Sequence, residues 1–400
     1  MANKFKNIQA GVLKAFQEEI PSIYYSDKSK KEFNHWKSVM EFHYHDLMKF
    51  PKDMFKGKNL IDLGSGTGEN TVYFDNWGAK CTLVEMNPNA FKISKSIFKK
   101  YSKKFNQNKF INKSIYDFKI NKKFDIAHSR GVFAHTNDPE RAFKKLASLV
   151  KPGGYLIYGD GNKSGNFQNM LQRLAIFNFA DNWDDMVKVA EVLFKEDLDR
   201  SQKFANRTRR CIIFDKWVVP RLTNPSVKEV MTWFKKNKIQ LYSSYPNILP
   251  STFGDSLHHR PMFDIEKFMQ LTSFIEAYWL IQNKMDKVEI PKIFKGIEKL
   301  AKYQDDMVDY IDDYNLEDIK KKSLNVLSKK ISTYNKTLKS MNFENYLKSR
   351  TNTFCKEVNG FLSVLETKDL YKSKRYISKC KELFRGAQGI RHIDFVGYKK

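Results

Sequence analysis

The chain has 400 residues, of which 41% are hydrophobic, and its formal net charge is +26. This length exceeds one ordinary domain, so we expect a core domain with a substantial addition. No apolar run is long enough to span a membrane and the first residues lack a signal peptide, which together predict a cytoplasmic protein. The basic charge comes mostly from dispersed lysines rather than a long basic tail, so we do not expect nucleic acid as the partner.

The four cysteines, Cys81, Cys211, Cys355 and Cys380, stand far apart and form no pair with metal-site spacing. His43 and His45 would diverge on a helix because they are two positions apart. We therefore expect reduced thiols and no metal ion.

The first segment, residues 1–56, is predicted to be an N-terminal helical cap. Its apolar and aromatic side chains recur at alternating spacings of three and four, which is typical of one helical face. These are Phe33, Trp36, Met40, His43 and Leu47.

The most informative stretch is residues 59–68, which read Asn-Leu-Ile-Asp-Leu-Gly-Ser-Gly-Thr-Gly. An apolar run ending near Asp62 predicts a buried parallel strand, and glycines at alternate positions predict a loop on which a ligand can lie against backbone. A second β-rich run ends in Glu85. A strand, a glycine loop, a crossover and a strand ending in an acid are typical of a nucleotide-binding βαβ unit, with the acid on the ribose hydroxyls.

The spacing of these glycines differs from that of the dinucleotide motif G-x-G-x-x-G, which argues against a nicotinamide dehydrogenase. Here the pattern is D-x-G-x-G-x-G, and an acid in that place suits a cationic ligand with an amino group. At this point the chain resembles the class I S-adenosylmethionine-dependent methyltransferases. The resemblance continues over about 100 residues in Tyr116-Asp117, the strand 124–129, the loop 131–139 and the run Leu149-Val-Lys-Pro-Gly-Gly. It is strongest with the small-molecule branch that includes ubiquinone and menaquinone biosynthesis enzymes.

The resemblance implies an α/β fold, a Rossmann-like doubly wound sheet of the seven-stranded methyltransferase type, with a large α-helical insertion or C-terminal region. Residues 57–160 are the expected core, with S-adenosylmethionine as the cofactor and the leading helix covering its pocket. The cofactor-binding residues implied are Asp62, Gly64, Ser65, Gly66, Gly68, Glu85, Met86, Tyr116, Asp117 and Ser129.

Residues 161–261 are predicted to contain a lid that follows the fifth strand, and then the remaining core helix and strand. The lid, over 161–221, is expected to select the methyl acceptor, with Arg130, Phe167 and Trp217 contacting it. His135 is the best candidate for a general base, because its ring titrates near neutral pH. An ordinary rim histidine is the alternative. Asp160, Tyr158 and the cluster 255–260 are weaker candidates.

Residues 262–385 show helical stripes and solvated charge, and nothing in them suggests chemistry. A heptad-like stripe predicts a packed helical insertion or a dimerisation element, so a homodimer is possible. It comprises Leu324, Leu327, Ile331, Tyr334 and Leu338. The tail, residues 386–400, is predicted to supply the last strand of the core sheet.

The sequence therefore predicts a methyltransferase that transfers a methyl group to a small molecule by in-line displacement. Which atom of the acceptor is methylated stays open. The alternatives are an RNA or tRNA methyltransferase that uses the basic surface, and a non-catalytic module that binds S-adenosylmethionine.

Overall fold

The computed structural model describes residues 2–20, 30–204, 207–248, 272–273, 275–277, 279–281, 296–312, 316–341, 343, 345–385 and 392–399. The cluster 255–260, considered above as a weaker candidate, lies outside these residues.

A seven-stranded sheet forms the centre of the molecule. Its strands are β1 (Asn59–Leu63), β2 (Lys80–Glu85), β3 (Lys109–Asn112), β4 (Phe124–Arg130), β5 (Val150–Gly161), β6 (Ile239–Tyr245) and β7 (His392–Lys399). Their order is β3-β2-β1-β4-β5-β7-β6. The first five are parallel, whereas β7 runs antiparallel to both β5 and β6. This arrangement confirms the predicted Rossmann-like fold with its seven-stranded sheet.

Helices cover the sheet on both faces and extend beyond it. In chain order they are α1 (Ala2–Glu18), α2 (Lys30–Phe42), α3 (Thr71–Asn76), α4 (Pro88–Tyr101), α5 (Pro139–Leu149), α6 (Phe167–Phe179), α7 (Trp183–Leu193), α8 (Lys195–Phe204), α9 (Arg209–Ile213), α10 (Val227–Lys236), α11 (Ile297–Ile311), α12 (Leu316–Lys320), α13 (Leu324–Ser340), α14 (Asn345–Glu366) and α15 (Leu370–Lys379). Short 3₁₀ turns lie at Lys52–Phe55, Phe105–Gln107, Phe133–His135 and Ser164–Asn166, and π-helical turns at His43–Leu47 and Phe214–Val218. None of the described helices is long and apolar enough to cross a membrane.

The helices after β5 and those before β7 share one hydrophobic core. Buried side chains of α6, α7 and α9 pack in the same cluster as those of α11, α13 and α14. Two stretches that are separate in sequence, the predicted lid and the predicted helical region, therefore form one helical body. Most of the heptad-like stripe on α13 packs inside this core. Its buried members are Leu327, Ile331, Tyr334 and Leu338.

One buried polar network joins β1 to β4 inside the sheet. Asp62 lies opposite His128 in the strand register, and its Oδ1 is 2.8 Å from His128 Nδ1. The other oxygen of Asp62 accepts a hydrogen bond from Thr71, and His128 Nε2 lies 3.0 Å from the Tyr44 hydroxyl. Every member of this network is at most 3% exposed, so each depends on its partners for hydrogen bonding.

We expect Asp62→Ala to lower the free energy of unfolding by about 3 kcal/mol, because it leaves buried partners at His128 and Thr71 unsatisfied. Chemical denaturation followed by circular dichroism measures this change. Asp117→Ala is the matched control: Asp117 is an exposed acid, and its removal should change stability by less than about 0.5 kcal/mol. Equal stabilities of the two variants would contradict the structural role of Asp62.

Candidate functional site

A cavity of about 950 Å³ lies at the carboxyl ends of the parallel strands. Ligands of open α/β sheets bind at this edge, because the strand-to-helix loops meet there. The cavity has two ends, one built from the loops after β1, β2 and β3, and the other from the loops after β4 and β5 with the helical body above them.

The first end is organised by the glycine loop after β1. Gly64 and Ser65 both donate backbone hydrogen bonds to the Val84 carbonyl, at 2.8 and 3.1 Å, which ties the loop to β2. Gly64 has φ +74°, and a Cβ there would lie 2.4 Å from Val132 Cγ1. Only glycine fits this position, because a side chain would face both the strained backbone and the collision.

Glu85 is held at the end of β2 by two backbone N–H groups. Its Oε2 accepts from Gly66 at 2.8 Å and its Oε1 from Asn87 at 2.7 Å. Burial raises the pKa of this carboxyl, while the backbone hydrogen bonds oppose that rise. The carboxylate lines the cavity with its orientation already fixed.

The rest of this end combines apolar side chains with a few polar groups. Met86, Ile115 and Tyr116 line the cavity beside Glu85. Gln9 of α1 donates to the Ser114 hydroxyl at 2.6 Å, and both residues also line it. The Ser65 hydroxyl is buried, and no described residue serves as its hydrogen-bond partner.

Helix α1 closes this end from above. Val12 and Phe16 line the cavity, and the Phe16 carbonyl accepts a hydrogen bond of 2.7 Å from the Asn87 side chain. The other N-terminal helix does not reach the cavity, since Phe33 and Met40 of α2 pack in the core on the sheet. The covering expected of a leading helix is therefore provided by α1.

At the second end, the loops after β4 and β5 bring together two titratable side chains. His135 Nδ1 is 2.8 Å from the Arg221 carbonyl oxygen, which can only accept, so Nδ1 carries the proton and Nε2 keeps its lone pair. Burial lowers the pKa of His135. Burial also raises the pKa of Asp160 to about 7, against hydrogen bonds from backbone N–H groups such as that of Ala134 at 2.9 Å.

Charged side chains at this end are paired. Arg130 makes a bidentate contact with Asp394 of β7, at 2.8 and 3.1 Å. Among the described residues, no group of three or more His, Cys, Asp or Glu side chains could hold a metal ion, and all four cysteines are free and buried.

Comparison with known proteins places this site in a family. Residues 33–189 match the family model described as a methyltransferase domain. A ubiquinone biosynthesis O-methyltransferase of Coxiella burnetii is 32% identical over 120 residues, which are 29% of this chain and 48% of that protein. The match to the family model thus covers 157 residues, about two fifths of the chain.

Two further similarities are more distant. The mitochondrial ubiquinone biosynthesis O-methyltransferase of Schizosaccharomyces pombe is 23% identical over 155 residues, 39% of this chain and 54% of that protein. The structure of PKMT2 from Rickettsia typhi in complex with AdoHcy has a TM-score of 0.43 and 16% identity, covering 59% of this chain and 50% of that one. The chain thus spans about half the length of the curated relatives it matches.

Within the methyltransferase domain, most of the predicted site residues lie together at the cavity. They are Gly64, Ser65, Gly66, Glu85, Met86, Tyr116, Arg130 and His135. Four predicted cofactor contacts are placed elsewhere. Asp62 is occupied by His128 and Thr71, and Gly68 packs against α4, where a Cβ would lie 3.1 Å from Ser94 Cβ. Ser129 donates to the Leu63 carbonyl inside the sheet, and Asp117 is exposed.

The prediction that Phe167 and Trp217 contact the acceptor needs correction. Both are 0% exposed and lie in the core of the helical body rather than on the cavity wall. The Trp217 indole N–H donates to Gln172 at 2.8 Å, so even its polar edge faces the protein. The side chains of this region that line the cavity are Asn166, Asn169, Arg200, Ser201, Arg207, Ile212, Asp215 and Lys216.

Asp160 was only a weaker candidate from the sequence, and no motif pointed to Gln9, Ser114 or Asn224, which also line the cavity. The usable signal for Asp160 is an acid at the carboxyl end of a parallel strand. No local pattern marks the other three, because they reach the cavity only through the tertiary fold.

We expect His135 to stay neutral at pH values where exposed histidines are protonated, because burial lowers its pKa below the ordinary 6.5. Protonation is then favoured in the unfolded chain, so this residue should reduce stability as pH falls through about 6.5, and His135→Gln should lessen that loss. Long-range ¹H–¹⁵N NMR, assigned with the same variant, should show the Nδ1–H tautomer. An Nε2–H tautomer, or titration above pH 6.5, would contradict this geometry.

Proposed function

We propose that this protein is a methyltransferase that uses S-adenosylmethionine and acts on a small-molecule acceptor. The observation that carries the proposal is the Glu85 carboxylate, oriented by Gly66 and Asn87 at the end of β2 and facing the cavity beside the glycine loop. A fixed acceptor pair in this place suits the two ribose hydroxyls of an adenosyl group. The O-methyl transfer in the names of the curated relatives supports the same assignment.

The residues of the first end fit the proposed cofactor. The Ser65 hydroxyl, buried without a partner among the described residues, offers a donor and an acceptor to a ligand on the loop. Met86 and Ile115 provide apolar contact suited to a base. Four predicted contacts lie away from the cavity, and we do not assign them to the cofactor. Asp62, Gly68 and Ser129 take part in the sheet and its packing, and Asp117 is exposed.

When bound, S-adenosylmethionine supplies an electrophilic methyl group on a sulfonium. The protein's part is then to orient the acceptor and to remove a proton where the acceptor begins protonated. We assign the latter to His135: its Nδ1 proton is held by the Arg221 carbonyl, which leaves Nε2 as the basic atom, and its lowered pKa keeps it unprotonated. The ring of Phe16 packs edge-on against the His135 ring, with 5.2 Å between the ring centroids, and shields the imidazole from water.

Glu85→Ala should raise the dissociation constant for S-adenosylmethionine roughly 30- to 150-fold, which is about 2–3 kcal/mol for a charge-assisted bidentate contact. Calorimetric titration measures this. Asp117→Ala, an acid of the same domain that is exposed, is the matched control and should bind as the wild type does. No detectable binding of millimolar S-adenosylmethionine by the wild type would end the methyltransferase proposal, and unchanged affinity in Glu85→Ala would remove Glu85 from the site.

We expect no methyl transfer to nucleic acid, although the net charge is +26. The dispersed lysines should give only weak binding that falls steeply as salt is raised, without sequence preference. Incubation of purified tRNA with the protein and methyl-labelled cofactor at physiological salt tests this. Label in the tRNA would favour the RNA methyltransferase alternative, whereas a cofactor-binding protein that methylates no candidate acceptor would favour the non-catalytic module.

A further inference from the structure

Asn224 is a side chain on the cavity wall whose amide has no partner among the described residues. It is 5% exposed and lines the cavity, and its carboxamide makes no hydrogen bond to any described residue. Its backbone, in contrast, is fixed on both sides. Thr223 N–H donates to the Ala134 carbonyl at 2.7 Å, and the Pro225 carbonyl accepts from Lys163 N–H at 3.1 Å. The fold thus holds an unsatisfied amide at a defined place, next to the loop that carries His135.

Asn169, on the first turn of α6, has one amide atom without a partner among the described residues. It is also 5% exposed and lines the cavity. Its Nδ2 donates to Asn166 Oδ1 at 2.9 Å, which sets the orientation of the amide. Its Oδ1 accepts no hydrogen bond within the described part of the chain. Both amides face the cavity, so the atoms without a described partner are available to a ligand there.

Gly161, which follows Asp160 at the end of β5, lets two amides lie close to the backbone. A Cβ at Gly161 would lie 2.1 Å from Asn224 Oδ1 and 2.5 Å from Asn166 Nδ2. The absence of a side chain is therefore what lets Asn166 and Asn224 approach the strand end. Asn169 is joined to this group through its hydrogen bond to Asn166.

The basic side chains at this end are paired with carboxylates of the protein. Arg130 pairs with Asp394, Arg207 with Asp215 at 3.0 Å, and Lys216 and Arg200 share Asp197 at 2.6 and 3.5 Å. Of the groups left to meet a ligand, Asn169 and Asn224 are neutral, and burial favours the neutral forms of both His135 and Asp160. Amides of this kind recognise uncharged hydroxyl or amide groups, whereas a charged ligand would lose its hydration without gaining a counter-ion.

We infer that Asn169 and Asn224 bind the methyl acceptor through their open amide groups, and that they select an uncharged, hydrogen-bonding acceptor over an anionic or cationic one. The inference rests on the proposed function, since it assigns the second end of the cavity to the acceptor. Apolar neighbours, including Val132, Ile212 and Leu222, provide surface for a flat or aliphatic body.

Three probes that share one phenol ring test this selection: 3-hydroxybenzamide, 3-hydroxybenzoate and 3-hydroxybenzylamine. Each is titrated at neutral pH into protein saturated with S-adenosylhomocysteine, and binding is followed by ligand-observed NMR. We expect the neutral carboxamide to bind at millimolar concentration and at least about ten-fold more tightly than either charged probe, because burying an uncompensated charge is costly.

Isosteric variants then locate the contact. Asn224→Leu and Asn169→Leu should each weaken the carboxamide roughly 3- to 10-fold, as expected for one neutral hydrogen bond. The stability of Asn224→Leu should not fall, because the amide that it removes makes no hydrogen bond to any described residue. A purely structural asparagine would instead destabilise the fold. Asn34→Leu, an exposed position on α2, is the control for the substitution itself.

Asn224→Asp places a carboxylate at the same position with the same shape. It should shift the preference towards 3-hydroxybenzylamine, a change that loss of structure cannot produce. Tighter binding of a charged probe by the wild type, no binding of the carboxamide at millimolar concentration, or unchanged affinity in both leucine variants would overturn the inference. The titration with S-adenosylhomocysteine distinguishes the two proposals. If S-adenosylhomocysteine does not bind, the proposed function is wrong. If it binds but the three probes bind equally well, only the assignment of the acceptor is wrong.

Discussion

The cofactor side of the cavity depends on two hydrogen bonds to one carboxylate. Gly66 and Asn87 donate their backbone N–H groups to the two oxygens of Glu85. Because Gly66 belongs to the loop after β1 and Glu85 ends β2, the first bond also joins two neighbouring strand ends. The loop and the acid are thus set in position before any ligand arrives, and a ligand does not lose affinity in ordering them. The same bonds make it possible to keep a carboxylate at a site where burial raises its pKa.

Asp62, the other acidic residue of the motif, has a structural role on the neighbouring strand. It lies within β1 rather than at its end, and its register partner on β4 is His128. Both its oxygens are used inside the protein, by His128 and Thr71, whereas the oxygens of Glu85 receive backbone donors and still face the cavity. The two acids of the motif therefore divide the work: one stabilises the sheet beneath the loop, and the other meets the ligand. A motif letter alone does not distinguish these roles.

The sequence predicted well whatever depends on short-range pattern. The buried strands, the glycine loop and Glu85 at the end of β2 all follow from runs of apolar residues and from the position of an acid after them. Residues 392–399 form β7, the strand expected in the tail. What failed was the direction of side chains in the helical body. Phe167 and Trp217 follow β5 and are aromatic, which suggests a cavity wall, but a second set of helices from much later in the chain covers α6 and buries them.

Residues such as Asn224 and Gln9 could not be found from the sequence for a different reason. An asparagine in a loop is ordinary, and Asn224 stands out because its side chain has no partner within the described ranges while the backbone on both sides of it is hydrogen-bonded. That is a statement about the surroundings, which include Ala134 and Lys163 from distant parts of the chain. Gln9 likewise becomes a lining residue only because Ser114 holds it at 2.6 Å. Local pattern predicts which residues lie at strand ends, and tertiary structure decides which polar groups are left open.

Residues 217–225 form one of the segments that connect the acceptor side to the helical body. Arg173, buried on α6, donates to the Trp217 and Val219 carbonyls at 2.8 and 2.7 Å. Further along the same segment, the Arg221 carbonyl holds His135 and the next residues carry Asn224. The candidate base and the open amide are thus positioned by a backbone segment that is anchored at one end in the helical body and at the other in the loops after β4 and β5. Changes in the helical body can therefore alter the acceptor side without moving the sheet, because the carboxylate of Glu85 is held by backbone N–H groups of the loop after β1 and of the residue before α4.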